Sequence, residues 1–333
     1  MTYSDLPALL SASLSPLYPD REIESIARLV LEHITGLSWV EIRLNQTTAC
    51  SADEENLIRK MIVRLEKHEP IQYILGETEF FGLKLKVLQG VLIPRGETEE
   101  LVDWIVKTQG SRLKARGTRH KAQGARRKAQ GSLGSIQGED RGPRLRGDDR
   151  KGVGGEGRVL RVLDIGCGSG AIAIAIAKYL PDAEVFAADI SEEALELTRE
   201  NAVLNGISAG ADNYLPLHIF RLDILAPVKC GFFDLIVSNP PYVPLGEMTN
   251  MDLHVVEYEP ETALFVPDHD PLLFYKAISE FARNNLNPGG KVFVEIHDRL
   301  GEETAEVFRK WFLNVELRKD IHGKDRMIRA YNG

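Results

Sequence analysis

Cysteine is scarce in this chain of 333 residues: Cys50, Cys167 and Cys230 stand far apart with no C-x-x-C pair. That pattern excludes a disulfide framework and a structural zinc site, so three free thiols are expected. Also missing is any apolar run of the roughly 20 residues that cross a bilayer, and the first residues lack the basic-then-apolar order of a secretory leader. No membrane association is expected, and the expected compartment is the cytoplasm. Aromatic residues make up 7% of the chain, yet none falls between residues 110 and 157.

That aromatic-free segment also breaks the charge balance. It holds 13 Lys or Arg against 5 Asp or Glu, a net +8, so the overall charge of -8 leaves -16 on the remainder. Within it, "KARGTRH", "KAQGARR" and "KAQGSLG" repeat with a period of seven from Lys114 to Gly134. Each repeat carries a Gly and none offers an apolar seam, which rules out a coiled coil. Residues 110–157 therefore read as a disordered, basic, low-complexity insertion. The acidic remainder disfavours a broad phosphate-binding surface, so nucleic acid is an unexpected partner except through this insertion.

What the chain does contain is organised. Helical periodicity runs through the first 75 residues: Ile23, Ile26, Ala27, Val30 and Ile34 share one face, as do Ile58, Met61, Ile62 and Leu65, with Ser51 to Glu54 as a capping box. "TEFFGLKLKVL" alternates around Gly82 and predicts a hairpin, and a linking helix follows Pro94. From Arg158 strands and helices alternate: "RVLRVLDIG", "GAIAIAIAKYL", "AEVFAADIS", "SEEALELTRENAVLNG" with Ser191 as N-cap, "PLHIFRLDIL", "FDLIVSNPP", a helix over about 271–285 and "GGKVFVEIH". This order predicts an α/β fold, an open, doubly wound, mostly parallel sheet with a small helical N-terminal domain. "WFLNVELRKD" and "RMIRAYNG" are expected to pair as an antiparallel hairpin at one edge. The expected domains are 1–75, helical and substrate-binding; 76–109, hairpin and linking helix; 110–157, the insertion; and 158–333, the sheet.

Chemistry is expected at the strand ends. "LDIGCGSGAIA" places Gly166, Gly168 and Gly170 in a tight turn before a helix, where outward-facing free N–H groups would meet a ligand. The spacing is G-x-G-x-G, one residue short of the dinucleotide fingerprint. Asp189, at the end of the next strand, can accept from both hydroxyls of a ribose; it can also simply open the following helix with Ser191. In "RLDIL", Asp223 is a candidate acceptor for an adenine amine and Ile224 its apolar cover. The fourth strand runs into Asn239-Pro240-Pro241-Tyr242. Here the Asn239 side-chain carbonyl and the Pro240 backbone carbonyl can fix two N–H groups of a planar nitrogen, and Tyr242 can stack on the plane. Such a site needs neither a metal nor a general base. A bare tetrad of this kind suits an adenine or cytosine amine of DNA or RNA as well as a glutamine amide.

The glycine loop with Asp164 before it resembles the first motif of class I methyltransferases that use S-adenosyl-L-methionine. A narrower resemblance rests on "EPIQYILGETEFFGLKLKV", "LIPRGETEELVDWIV", "SNPPYVP", "YEPETALF" and "GKDRMI". By these the chain is similar to the release-factor glutamine N5-methyltransferases of the PrmC/HemK type, over nearly its whole length except 110–157. It departs at Gly96, where that family usually has proline. The resemblance implies a methyltransferase acting on the Gly-Gly-Gln glutamine of class 1 peptide chain release factors in translation termination, with S-adenosyl-L-methionine as cofactor. It implies cofactor contacts at Gly166, Cys167, Gly168, Ser169, Gly170, Asp189, Ile224 and Asn239, and substrate contacts at Asn239, Pro240, Pro241 and Tyr242. Asn239, Pro240 and Tyr242 would be catalytic. For Arg95, contact with cofactor or substrate and an ion pair with Glu97 or Glu99 are both open.

Overall fold

A computed structural model describes residues 1–109, 159–208, 217–227 and 230–333. The expected insertion over 110–157 lies outside these residues. The chain divides into two compact units: Met1–Pro94 with Pro241–Pro271, and Arg95–Pro240 with Leu272–Gly333. Among the described residues no helix is long and apolar enough to cross a membrane.

The first unit begins with five helices, α1 (Leu6–Leu14), α2 (Asp20–Thr35), α3 (Trp39–Leu44), α4 (Ala52–Leu65) and α5 (Ile71–Leu75). Their apolar stripes meet in one core of Leu6, Leu10, Leu14, Ile23, Ile26, Val30, Ile58, Met61 and Leu65, among others. The capping box of α4 is formed: Ser51 N donates to Glu54 Oε2 at 2.6 Å and Glu54 N to Ser51 Oγ at 3.2 Å. That reciprocal pair satisfies two N–H groups the helix itself cannot. Next come β1 (Glu77–Phe80) and β2 (Leu83–Lys86), antiparallel with Phe80 opposite Leu83. Phe81 and Gly82 both take positive φ, 51° and 71°, as a two-residue hairpin turn that follows strand twist requires.

Residues 241–271, which the sequence order assigns to the sheet domain, cluster with this helical unit instead. They carry β7 (Val243–Pro244), α9 (Leu253–Tyr258), α10 (Glu261–Leu264) and β8 (Phe265–Val266), with β7 and β8 paired in parallel. Val255, Leu264 and Phe265 form an apolar cluster that also takes in Leu92, Val243, Met248 and Met251. Tyr258 packs on Tyr73, Val87 and Ile93, and its hydroxyl donates to Lys67 O at 2.6 Å.

The second unit opens with α6, helical over 96–109. Its seven-stranded sheet comprises β3 (Leu160–Ile165), β4 (Ala183–Asp189), β5 (His218–Arg221), β6 (Phe233–Ser238), β9 (Leu286–Glu295), β10 (Asn314–Lys319) and β11 (Asp325–Tyr331), in the order β10-β11-β9-β6-β3-β4-β5. β3, β4, β5, β6 and β9 are parallel; β11 runs antiparallel between β9 and β10. Val162, Leu163, Leu235, Ile236 and Val237 are fully buried, the near-continuous apolar run of strands covered on both faces. Helices α7 (Ala171–Tyr179), α8 (Glu192–Leu204), α11 (Leu273–Asn285) and α12 (Gly301–Arg309) complete the class I methyltransferase fold. The terminal hairpin is present, but β11 lies inside the sheet with β10 on the edge. α12, a helix directly before that hairpin, is not among the elements expected from the sequence.

Candidate active site

Because the five strands are parallel and in register, their carboxyl ends fall on one edge. Ile165 lies level with Ala188 and Ser238, and Asp189 with Arg221. The turn after β3, the end of β4, the turn after β5 and Asn239 after β6 therefore share that edge, where doubly wound sheets hold ligands.

The glycine turn is laced to β4. Gly166 N and Cys167 N both donate to Ala188 O, at 2.8 and 3.0 Å, Gly168 N donates to Asp189 Oδ2 at 2.9 Å, and Gly170 N to Cys167 O at 2.8 Å. Four amides of this turn are thus already engaged, because the loop needs them to hold its own tight path. What remains suits a cationic group better than a pyrophosphate. Asp164 is fully buried at the base of the loop; its Oδ2 accepts from Ala173 N at 3.0 Å, while Oδ1 has no partner among the described residues. Burial pushes this carboxyl up to about 8, the Ala173 N–H opposes the rise, and the charge of Asp189 adds to it. A pyrophosphate here would meet two acidic side chains and few free donors, whereas an ammonium would be the positive, proton-donating partner that Asp164 Oδ1 lacks.

Asp189 takes Gly168 N on one oxygen and Ser191 N on the other, the latter at 3.0 Å. It therefore shapes the loop and opens α8 at once. An ionised carboxylate accepts about four hydrogen bonds, so each oxygen keeps capacity for a hydroxyl. Ser191 caps α8 as expected, its Oγ accepting from Ala194 N at 3.2 Å. Two further α8 side chains clamp the turn: Thr198 Oγ1 donates to Gly168 O at 3.0 Å and Asn201 Nδ2 to Ser169 O at 2.9 Å. Both are fully buried. Their spacing of three, on one helix face, is the trace of this clamp in the sequence. After β5, Asp223 is exposed with Oδ1 accepting from Leu225 N at 2.9 Å, and Ile224 is half-buried.

β6 stops at Ser238, whose hydroxyl donates to Ile165 O at 2.7 Å and ties the ends of β3 and β6 together. Asn239 follows, half-buried, with Nδ2 donating to Thr98 Oγ1 at 3.1 Å. Thr98 in turn donates to Glu295 Oε2 at 2.7 Å. Thr98 stands in "PRGETE" on α6 and Glu295 ends β9; neither was singled out from the sequence. Pro240 is buried and closes the second unit, so Pro241 and Tyr242 belong to the first. Arg95 is half-buried just before α6, its carbonyl accepting from Thr98 N at 3.2 Å.

A family described as "Methyltransferase small domain" matches residues 156–256, and "PrmC N-terminal domain" matches residues 10–76. The chain is 38% identical to the "Release factor glutamine methyltransferase" of Flavobacterium psychrophilum, over 96% of this chain and 95% of that protein. It is 37% identical to the protein of that name from Bacteroides thetaiotaomicron, over 98% of each. With that of Lactococcus lactis it shares 34%, over 98% of this chain and 99% of the other.

Proposed function

Because this chain belongs to the release factor glutamine methyltransferase family, we propose that it transfers the methyl group of S-adenosyl-L-methionine to the side-chain amide nitrogen (N5) of the Gly-Gly-Gln glutamine in class 1 peptide chain release factors, in the cytoplasm. The observation that carries this reading is likeness over nearly the full length of both chains, helical N-terminal region included. The geometry supplies the chemistry.

When bound, the cofactor supplies an electrophilic methyl group on a sulfonium. We assign its amino acid end to the turn of Gly166, Cys167, Gly168, Ser169 and Gly170, its ribose to Asp189 and its base to the turn carrying Ile224. A glutamine amide nitrogen is a weak nucleophile because its lone pair is delocalised into the carbonyl. Orientation is what the protein can contribute: with both N–H groups held, one by Asn239 Oδ1 and one by the Pro240 carbonyl, the lone pair is presented for in-line attack. The half-buried Asn239 and buried Pro240 are fixed at the end of β6. The proton released after transfer passes to water, so the site needs no residue to abstract it.

The test is to incubate the protein with S-adenosyl-L-methionine and a release factor, then weigh the Gly-Gly-Gln peptide. A gain of one methyl group on the glutamine supports the reading, and an unmodified peptide overturns it. Methyl incorporation into nucleic acid instead would revive the adenine or cytosine amine as acceptor.

A further inference from the structure

A side-chain amide has two faces of opposite character, and Asn239 serves the transfer above only if its oxygen, not its NH2, is presented to the substrate. We propose that Thr98 and Glu295 are positioning residues that lock Asn239 in that orientation through a one-way hydrogen-bond relay. This rests on the proposed methyl transfer for its kinetic consequence but not for its geometry.

Counting protons gives the direction. The Thr98 hydroxyl has a single proton, and it goes to Glu295 Oε2 at 2.7 Å. Toward Asn239, Thr98 Oγ1 therefore offers lone pairs alone. Asn239 Nδ2 donates to it at 3.1 Å. The reversed amide would set Oδ1 against those lone pairs, two acceptors in contact with no proton between them. Only one flip is tolerated, and it turns Oδ1 away from Thr98. Among the described residues no other side-chain hydrogen bond holds Asn239, so the relay alone makes the choice.

Burial keeps the relay honest. Thr98 is 4% exposed and Glu295 1%, so water cannot readily substitute for either partner. The Tyr275 hydroxyl reaches the backbone carbonyl of Glu295 at 3.3 Å, anchoring the end of β9 independently of the carboxylate. A substitution of the Glu295 side chain thus leaves that strand end attached.

Three substitutions and a spectroscopic signature test this. Thr98→Val keeps the shape and removes the hydroxyl; kcat on the release factor is expected to fall about 10- to 100-fold, the scale of a misplaced reacting group. KM and the cofactor Kd should stay unchanged. Thr98→Ser restores the hydroxyl and should recover most of the loss. Glu295→Gln can donate to Thr98, turning the threonine proton toward Asn239 and favouring the wrong flip. It should lose as much as Thr98→Val, and the double variant no more than either alone, since both break one relay. A purely structural role would lower stability without this kcat-only pattern or rescue by serine. Retained kcat in Thr98→Val, or no rescue by Thr98→Ser, overturns the proposal. If the wild-type protein leaves the release factor unmethylated, the proposed function fails, and the relay is judged by the 15N–1H signals of the Asn239 side-chain amide. Signals shifted by Thr98→Val and restored by Thr98→Ser sustain the relay; signals indifferent to both overturn it.

Discussion

Replacing Gly170 or Gly166 by alanine should affect two different properties of the same turn. Gly170 has φ +81°, and a Cβ there would lie 2.8 Å from Thr198 Cγ2, 2.9 Å from Ile174 Cδ1 and 3.0 Å from Thr198 Oγ1. The left-handed conformation costs a non-glycine residue about 1–2 kcal/mol, and over-packing adds about 1–3 kcal/mol. Ile174 can bend its terminal methyl aside. Thr198 cannot give way so simply, being fully buried with its hydroxyl bound to Gly168 O. Gly170→Ala should therefore destabilise the protein by about 2–5 kcal/mol in all, a large share of the 5–15 kcal/mol typical of a domain. Gly166 has φ +71° but nothing within 4 Å of its Cβ position, so Gly166→Ala carries only the backbone term, about 1–2 kcal/mol. Urea denaturation measures both. Calorimetric titration with S-adenosyl-L-methionine then asks who occupies the open space at Gly166: that variant should lose cofactor affinity out of proportion to its stability. Equal stability losses in the two variants would refute the steric argument. Wild-type cofactor affinity in Gly166→Ala would refute the assignment of the turn to the cofactor.

Asn239→Ala is expected to abolish turnover while sparing cofactor binding more than Asp189→Ala does, because Asp189 also holds Gly168 N and Ser191 N; equal losses of cofactor affinity would contradict that division of roles. Asp164, held up near 8 by burial against an ordinary 3.8, binds its proton more tightly in the folded than in the unfolded chain. Its contribution to stability is therefore full below about pH 4 and declines as pH rises through 8, by at most about 1.4 kcal/mol per pH unit. Comparing urea midpoints of wild type and Asp164→Asn at several pH values isolates this effect from other carboxylates, and parallel curves would show that Asp164 does not titrate so. Deleting residues 112–156 should leave methyl transfer on a release factor intact; collapse of activity would show that the basic segment meets the substrate.

The sheet was legible because its central strands are buried on both faces and must be apolar almost throughout, and because the glycine turn and Asp189 sit at fixed places on that frame. The hairpin around Gly82 was equally plain. α12 is not among the elements expected from the sequence, although Val307 and Phe308 join Gly301, Thr304 and Ala305 on its buried face. The partition of residues 241–271 was not readable from order along the chain, since Val255, Leu264 and Phe265 find their apolar partner Leu92 far back in the sequence. Nor could any local pattern couple Thr98 to Glu295, which lie 197 positions apart. The tetrad showed that Asn239 ends a strand; which way its amide faces depends on residues that only the fold assembles.

The interleaved order of the two units has a consequence for synthesis. At about 5–20 residues per second, a ribosome takes on the order of 10–35 s to travel from Pro94 to Pro271. During that interval the amino-terminal helices can close their own core, but Tyr73, Val87, Leu92 and Ile93 still await Tyr258 and the cluster around Phe265. The sheet unit is equally incomplete, with β6 made and its neighbour β9 not yet translated. The helical unit is thus complete only at Pro271 and the sheet unit later still, and a chain stalled before residue 241 presents apolar surface from both.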